Sequence, residues 1–331
     1  MVTTLQGKLQ RAVHRHIDRE QTVCDLRPLT GGAASATWQF DTTSNTDTRE
    51  LILRTAPGGA TVATGLDKTT EAQVQSAAVD AGVPAARVVF VLDQDDELGS
   101  GYVMERLPGE SIPRKILRDE RFGSARQVMT AQCGEILARI HAMDLNALPP
   151  LPDLSAPAQL SRYEEIYRSL VEPLPTFELA FRWLDKHCPP TLPPRLVHGD
   201  FRNGNFLVDP SSGITTVLDW ELAHLGDPLE DLGWLCVNSW RFGHSEQAVG
   251  GFGQREALFA AYENAGGGAV DPRRVRFWEL FGVLKWGIFC LYMSAADPAG
   301  NARSVERAAI GRRVSETEID LLQLLNDRAE S

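Results

Sequence analysis

Apolar and polar residues follow two different rhythms along this chain, and the change between them divides it. Residues 5–19 read as an amphipathic helix. "PLTGGAASATWQF" and "RELILRTAP" carry β-type runs around a glycine turn and predict antiparallel strands, with "DTTSNTDT" (41–48) as the polar loop of a hairpin. Residues 68–81 return to a helical pattern that Gly82 can stop. "ARVVFVLDQDDELGSGYVMERLPG" then reads as strand, acidic turn, strand and a Pro-Gly break at 108–109.

Beyond Gly109 the helical period takes over. Apolar positions at 128, 129, 133, 136, 137 and 140 share one helix face. After the proline-rich connector "LNALPPLPDLSAP", helices are expected near 158–171, 176–187, 228–240, 254–265, 272–296 and 314–328. The pattern predicts an α+β chain: a β-rich first lobe over 1–103, a hinge over 104–109 and a mostly helical second lobe over 110–331.

Length agrees with two lobes. A single core becomes strained beyond roughly 250–300 residues, and this chain has 331. A net charge of −11 argues against a general nucleic-acid binder, yet leaves room for one basic pocket. The five cysteines, Cys24, Cys133, Cys188, Cys236 and Cys290, are scattered without a C-x-x-C pair, as expected of reduced thiols in a cytoplasmic protein. The first twenty residues lack the apolar core of a secretory signal, so none is expected. The most apolar window, 280–296, is interrupted by Lys285 and falls short of a membrane span, so it reads as a buried helix.

The chemistry concentrates in "LVHGDFRNGNFLVDPSSGITTVLDW" (196–220). Two strands joined by an Asp-Pro-Ser-Ser-Gly turn follow a short apolar run, which brings Asp200, Asn205 and Asp219 to one place. A carboxylate and an amide oxygen suit Mg²⁺, which takes few protein carboxylates beside substrate phosphates. A second carboxylate, free of the metal, can take a proton from an attacking hydroxyl. His198-Gly-Asp200-x-x-x-x-Asn205 followed by Asp219-Trp-Glu221 has the order of kinase-type phosphoryl transfer. His198 itself reads as scaffold. A rival set, His198, Asp200, Asp219 and His224, would make a metallohydrolase, but it leaves Asn205 and the first lobe without a role.

Upstream features fit phosphoryl transfer in order. "LTGGAAS" (29–35), with Gly31 and Gly32, can turn backbone N–H groups toward phosphates. Arg54 lies inside a strand, where a bare charge needs a partner, and Glu71 on the following helix can supply one. The break at "YVMERLPGE" suits a hinge, and clefts between lobes are favoured ligand sites. In "GDPLEDLGWL", Asp227, Pro228 and Glu230 read as a capping box for a helix, and Asp231 as a brace for the loop.

These motifs resemble the aminoglycoside phosphotransferase and choline kinase-like superfamily. The likeness is strongest to the phosphotransferase branch that includes the kinase domains fused to some acyl-CoA dehydrogenases. "LVHGDFRNGNFLVDP", "VLDWELAHLGDPLEDLGWL", "GYVMERLPGE" and "LTGGAASATWQF" carry it, over about residues 20–300. The resemblance implies a bilobal protein-kinase-like fold and a small-molecule kinase using ATP and Mg²⁺. Asp200 would be the catalytic base, Asn205 and Asp219 the metal ligands, and Arg54 the phosphate contact paired with Glu71. The Glu105 carbonyl and Leu107 amide would bind adenine, with Met104 flanking the base. Most kinases have lysine at the Arg54 position, and Trp-Glu after Asp219 replaces Phe-Gly, which speaks against a regulated protein kinase.

The acceptor would be a small molecule with a hydroxyl group. "RRVRFWELFGVLKWGIFCLYMSAA" offers Trp278, Trp286, Phe289 and Tyr292 with Arg273, Arg274 and Lys285. Such a wall suits an apolar or anionic acceptor, such as a hydroxyacyl-CoA thioester; the same aromatics also read as core. An antibiotic kinase and a non-catalytic nucleotide-binding protein are the alternatives.

Overall fold

A computed structural model describes residues 2–29, 36–56, 65–170, 173–294 and 309–326. The first part is built on five antiparallel strands in the order β1 (Thr22–Pro28), β2 (Ala36–Thr43), β3 (Thr48–Thr55), β5 (Gly101–Glu105) and β4 (Val88–Val91). Alternation along β3 decides what each face does. Leu51 and Leu53 join Leu9, Val13, Phe40 and Val103 beneath helix α1 (Val2–His16). Ile52 joins Ala72, Tyr102 and Met104 on the face covered by helix α2 (Lys68–Asp80). Arg54, two residues on from Ile52, is therefore turned toward α2.

Helix α1 starts and ends about three residues earlier than its apolar pattern predicts. Asp18 closes it: its side chain accepts from Glu20 N at 3.0 Å and its carbonyl from Gln21 N at 3.3 Å. The turn leads directly into β1.

The second part is helical: α3 (Pro113–Arg118), α4 (Gly123–His141), α5 (Ala156–Leu170), α6 (Pro175–Lys186), α7 (Leu229–Cys236), α8 (Arg255–Asn264), α9 (Pro272–Ser294) and α10 (Val314–Asn326). The chain is thus α+β and bilobal, a sheet-based lobe followed by a helical one. Helix α9 is buried nearly all round by α5, α6, α7 and α10, which explains why it is mostly apolar on every face. Among the described residues no helix is long and apolar enough to cross a membrane. All five cysteines are free.

Three expectations need correction. The helix expected over 228–240 stops at Cys236, because the Arg241 side chain takes the Cys236 carbonyl at 2.7 and 3.1 Å and a 3₁₀ turn over Asn238–Arg241 follows. Asp227 does accept from Leu229 N at 3.1 Å. Glu230, however, completes no capping box; its carboxylate turns inward to His224 and Gln159. The third is β9 (His224–Gly226), a strand the pattern does not show, which pairs with β6 (Arg195–Val197); the expected hairpin forms as β7 (Phe206–Asp209) with β8 (Gly213–Val217). Strand β9 has only three residues, too few for alternation to reveal it.

Helices α4 and α8 meet closely enough to need a glycine. A Cβ on Gly134 would lie 2.6 Å from Tyr262 N and 2.9 Å from Leu258 O, both backbone atoms. Alanine is the better helix former by about 1 kcal/mol, but overpacking costs about 1–3 kcal/mol. Gly134→Ala is expected to lower the thermal midpoint; an unchanged or higher midpoint would contradict this packing.

Candidate active site

The loop after β6 is held from below by one carboxylate. Asp231 on α7 is fully buried. It accepts from His198 N at 2.8 Å, Gly199 N at 2.9 Å and His141 Nε2 at 3.1 Å. His141 is backed by Tyr262 Oη at 2.8 Å. Burial alone would raise the Asp231 carboxyl, but the His141 bond and the nearby imidazoles outweigh it and hold the group below its ordinary value. Gly199 has φ +79°, and a Cβ there would sit 2.4 Å from the Leu222 carbonyl, so the loop can close only on glycine.

His198 links the loop to the segment before Asp219. Its Nε2 meets Leu218 O at 3.1 Å and its Nδ1 meets Asp200 N at 3.2 Å. A carbonyl only accepts and an amide only donates, so Nε2 carries the hydrogen and Nδ1 is bare. Burial lowers the His198 pKa and keeps this neutral form. Both nitrogens are engaged, as are those of His224, with Leu222 O at 2.9 Å and Glu230 at 3.1 Å. The rival metallohydrolase set therefore does not assemble.

Asp200, Asn205 and Asp219 do come together. Asp200 Oδ1 accepts from Arg202 Nε and Trp234 Nε1, both at 2.9 Å. Asn205 Nδ2 donates to Asp200 Oδ2 at 2.6 Å and to the Asp200 carbonyl at 3.0 Å, which turns the amide oxygen the other way. The Asn205 carbonyl accepts from Leu218 N at 2.8 Å, so β7 and the end of β8 are tied at this point. Asp219 then adopts φ 67°, ψ 69°, a left-handed conformation that aspartate tolerates better than most residues.

Arg54 joins the two lobes. It lies in the middle of the sheet, and its Nη2 reaches Asp219 Oδ1 at 2.8 Å, Glu71 Oε1 at 3.2 Å and Glu221 Oε2 at 3.7 Å. Lys68 Nζ bridges Glu71 Oε2 at 2.6 Å and Glu221 Oε2 at 3.2 Å. Tyr102 Oη donates to Glu71 Oε1 at 2.9 Å. Two cations and three carboxylates thus share one buried cluster. Burial opposes the charge of Arg54, but Tyr102, Glu71 and Asp219 overcome it and raise its pKa. Burial likewise opposes ionised Asp219, and Arg54 overcomes it, with help from Arg202 and Lys68. Glu221 goes the other way, pushed up by burial and by Asp219.

Lys68, Tyr102, Glu221 and Trp234 were not singled out from the sequence. Lys68 precedes Glu71 by three residues, a spacing that lets helical side chains meet, and Glu221 stands in the D-W-E motif itself. Tyr102 sits opposite Arg54 in the β3–β5 register, which only the pairing reveals.

Met104, Glu105 and Leu107 run along the end of β5. Gln75 Nε2 lies 3.4 Å from Met104 Sδ, and Glu105 N donates to Arg87 O at 3.0 Å. Leu107 packs against the cluster of Ile52, Ala72, Tyr102 and Met104, and its amide meets no acceptor among the described residues. A cavity of about 720 Å³ opens between Leu107–Glu110, Phe122 and the β7–β8 hairpin; Arg54, Asp200, Asn205 and Asp219 do not line it. Gly31 and Gly32 lie outside the described residues.

Beyond Asp200 runs an aromatic wall. Trp234 packs on Trp240 at 5.1 Å, Trp240 on Trp286 at 4.9 Å, and Trp286 on Phe289 at 5.4 Å between ring centroids. The chain's own cations cover these rings: Arg202 lies 4.4 Å from Trp240, Lys285 4.9 Å from Trp234 and Arg313 5.5 Å from Trp286. Trp278 is not part of the wall. It is buried with Phe277 and Phe281 and donates to Asp227 at 2.7 Å, and Arg274 pairs with the same carboxylate. Tyr292 and Arg273 are exposed.

The sequence model of the Phosphotransferase enzyme family matches residues 25–278. The chain is 31% identical over 201 residues to acyl-CoA dehydrogenase family member 10 of Mus musculus, covering 57% of this chain and 18% of that protein. It is 29% identical over 244 residues to family member 11 of Gallus gallus, covering 69% of this chain and 30% of that protein. The matched stretch is therefore under a third of the length of these relatives. Among solved structures, the chain is similar to a choline/ethanolamine kinase family protein of Mesorhizobium loti (TM-score 0.64, 20% identity, 98% and 96% of the two chains). It is also similar to a spectinomycin phosphotransferase in complex with ADP and spectinomycin (TM-score 0.67, 13% identity, 96% and 98%). At these identities the likeness shows the fold.

The His224–Glu230 pair below the loop carries a pH signature. Burial opposes a charged His224, but Glu230 overcomes it and raises the imidazole above 6.5. Burial also opposes ionised Glu230, and His224 overcomes it and holds the carboxyl below 4.5. The raised imidazole contributes stability that is full below pH 6.5 and is lost as pH rises through its folded value. The depressed carboxyl contributes above pH 4.5 and loses its contribution on acidification. The difference in thermal midpoint between wild type and His224→Gln is expected to be largest between these two values and to shrink toward alkaline pH. A difference independent of pH would contradict the pairing.

Proposed function

Since the chain belongs to the phosphotransferase enzyme family, we propose that it transfers the γ-phosphoryl group of Mg·ATP to a hydroxyl of a small molecule. The observation that carries this reading is that Asn205 joins Asp200 to the segment ending in Asp219, and Asp219 in turn meets the Arg54–Glu71 pair of the other lobe.

The donor set fits magnesium. The Asn205 amide oxygen is turned away from Asp200, and Asp219 keeps a second carboxylate oxygen beyond the one bonded to Arg54. These two would hold the ion, a hard cation that prefers oxygen. When bound, the ion neutralises charge on the phosphate oxygens. Arg54 has five N–H donors, enough to keep Glu71 and still meet the α- and β-phosphates. The Glu105 carbonyl and Leu107 amide would bond the adenine edge, with Met104 flanking the ring.

Asp200 is the group placed to accept a proton. Arg202 and Trp234 occupy both lone pairs of Oδ1, whereas Oδ2 accepts only from Asn205 and keeps a lone pair for an incoming hydroxyl. The hydroxyl oxygen bonds to the γ-phosphorus as its proton passes to Asp200. The bond to the β-phosphate bridge breaks, and ADP leaves with that electron pair.

For the acceptor, the favoured class is a hydroxyacyl thioester of the CoA type. Two features support it. The relatives named above are acyl-CoA dehydrogenase family members, so their names tie this kind of domain to acyl-CoA. In addition, Arg202 and Arg313 already cover the faces of Trp240 and Trp286 in the wall beyond Asp200, so a polycationic antibiotic would meet cations there. A panel of hydroxyacyl-CoA esters, aminoglycosides and choline with Mg·ATP discriminates these classes; transfer only to the cationic acceptors would overturn the choice.

Three variants test the machinery. Asp219→Ala and Asn205→Ala are each expected to reduce the Mg²⁺ dependence of ATP binding measured by calorimetry, and an unchanged dependence in both would sink the metal assignment. Asp200→Asn is nearly isosteric and should fold and bind Mg·ATP. Its kcat should fall by about 10²- to 10⁴-fold, the usual loss of a positioned base. Near-normal kcat would make Asp200 structural.

A further inference from the structure

Lys285 stands in the middle of α9, a mostly buried helix, and is itself 9% exposed. An unpaired ammonium there would be strongly disfavoured, so its neighbours reveal what it does. Nζ carries three protons. Gly199 O lies at 3.4 Å, Glu230 Oε1 at 3.8 Å and the Trp234 ring at 4.9 Å, with the Tyr163 ring at 5.9 Å behind. Burial works against the charge, but Tyr163, Glu230, Asp200 and Asp231 outweigh it and raise the pKa. Three protons face three partners within the chain, so Lys285 is poorly suited to greet a substrate.

Two of those partners bear directly on Asp200. The Gly199 carbonyl belongs to the peptide unit that enters Asp200, and the N–H of the same unit is held by His198 Nδ1 at 3.2 Å. Lys285 and His198 therefore grip that one peptide plane at its two ends. The indole of Trp234, covered by the ammonium, donates to Asp200 Oδ1 at 2.9 Å. A backbone hold and a side-chain hold on the same carboxylate both lead back to one lysine.

We propose that Lys285 is a positioning residue for phosphoryl transfer: from α9 it fixes the Gly199–Asp200 peptide and the Trp234 indole, and through them the aim of the Asp200 carboxylate. The inference rests on the reaction proposed above, but its structural half stands apart from it. Lys285 touches no reacting atom, so its removal should impair the chemical step and spare nucleotide binding.

The test uses the full chain with Lys285→Met, Trp234→Phe and the double variant, and Lys285→Gln where methionine does not fold. Lys285→Met is expected to lower kcat by roughly 10- to 100-fold, the scale of a small misplacement at a reacting centre, with the KM for ATP unchanged. The double variant should lose about as much as the worse single one, since both act through one carboxylate. Hydrogen exchange supplies an arm independent of turnover: amides over residues 199–205 should exchange faster in Lys285→Met, while those of β3 do not change. Unchanged kcat, a rise confined to acceptor KM, multiplying losses, or unchanged exchange over 199–205 would each overturn the proposal. If wild type transfers no phosphoryl group to any acceptor, the functional reading fails, and the exchange arm still decides whether Lys285 holds the loop.

Discussion

A guanidinium inside a β-sheet is the constraint from which much of this structure follows. Arg54 cannot shed its charge, because arginine stays protonated in proteins, and its place in the central strand leaves it little water. It must be met by carboxylates, and the chain supplies them from two other places. Glu71 comes from α2 across the sheet, and Asp219 comes from the end of the β7–β8 hairpin. The electrostatic need of one residue therefore ties both lobes together. The backbone follows the same line: Leu66 N donates to Glu221 O at 2.7 Å, just ahead of Lys68 and its own bridge to Glu221.

The loop that carries Asp200 obeys a similar rule with the sign reversed. Asp231 is a buried anion that collects three donors, two of them the backbone amides of His198 and Gly199. Buried polar groups of this kind either find all their partners or destabilise the fold. Satisfying Asp231 shapes the loop, neutral His198 carries that shape to Leu218, and Asp219 takes a left-handed conformation at the end of the line. Backbone strain at Asp219 is tolerable because the flanking bonds leave few alternatives.

How much of this could be read from residues depends on the range of the interaction. The strands of the first lobe and most helix limits follow from local periodicity, and the convergence of Asp200, Asn205 and Asp219 follows from a hairpin whose turn is written in Asp-Pro-Ser-Ser-Gly. The limits of α7 and α1 escaped because side chains of Arg241 and Asp18 take backbone partners that propensity does not register. Glu230 looked like a capping residue because its offset from Asp227 fits one; the attraction of His224 proved stronger. Trp278 reads equally as wall or core from sequence, because aromatic residues line both, and only packing places it in the core. Tyr102 and Trp234 needed strand register and helix packing, which no short motif encodes.

The central claim is that this arrangement moves a phosphoryl group rather than merely binding a nucleotide. Mass spectrometry of both products after incubation with Mg·ATP and a panel of hydroxyl-bearing small molecules tests it most directly. The account predicts ADP and a phosphomonoester of one acceptor in equal amounts, formed only with the divalent ion present. Tight Mg·ATP binding without ADP or phosphomonoester from any acceptor would contradict it.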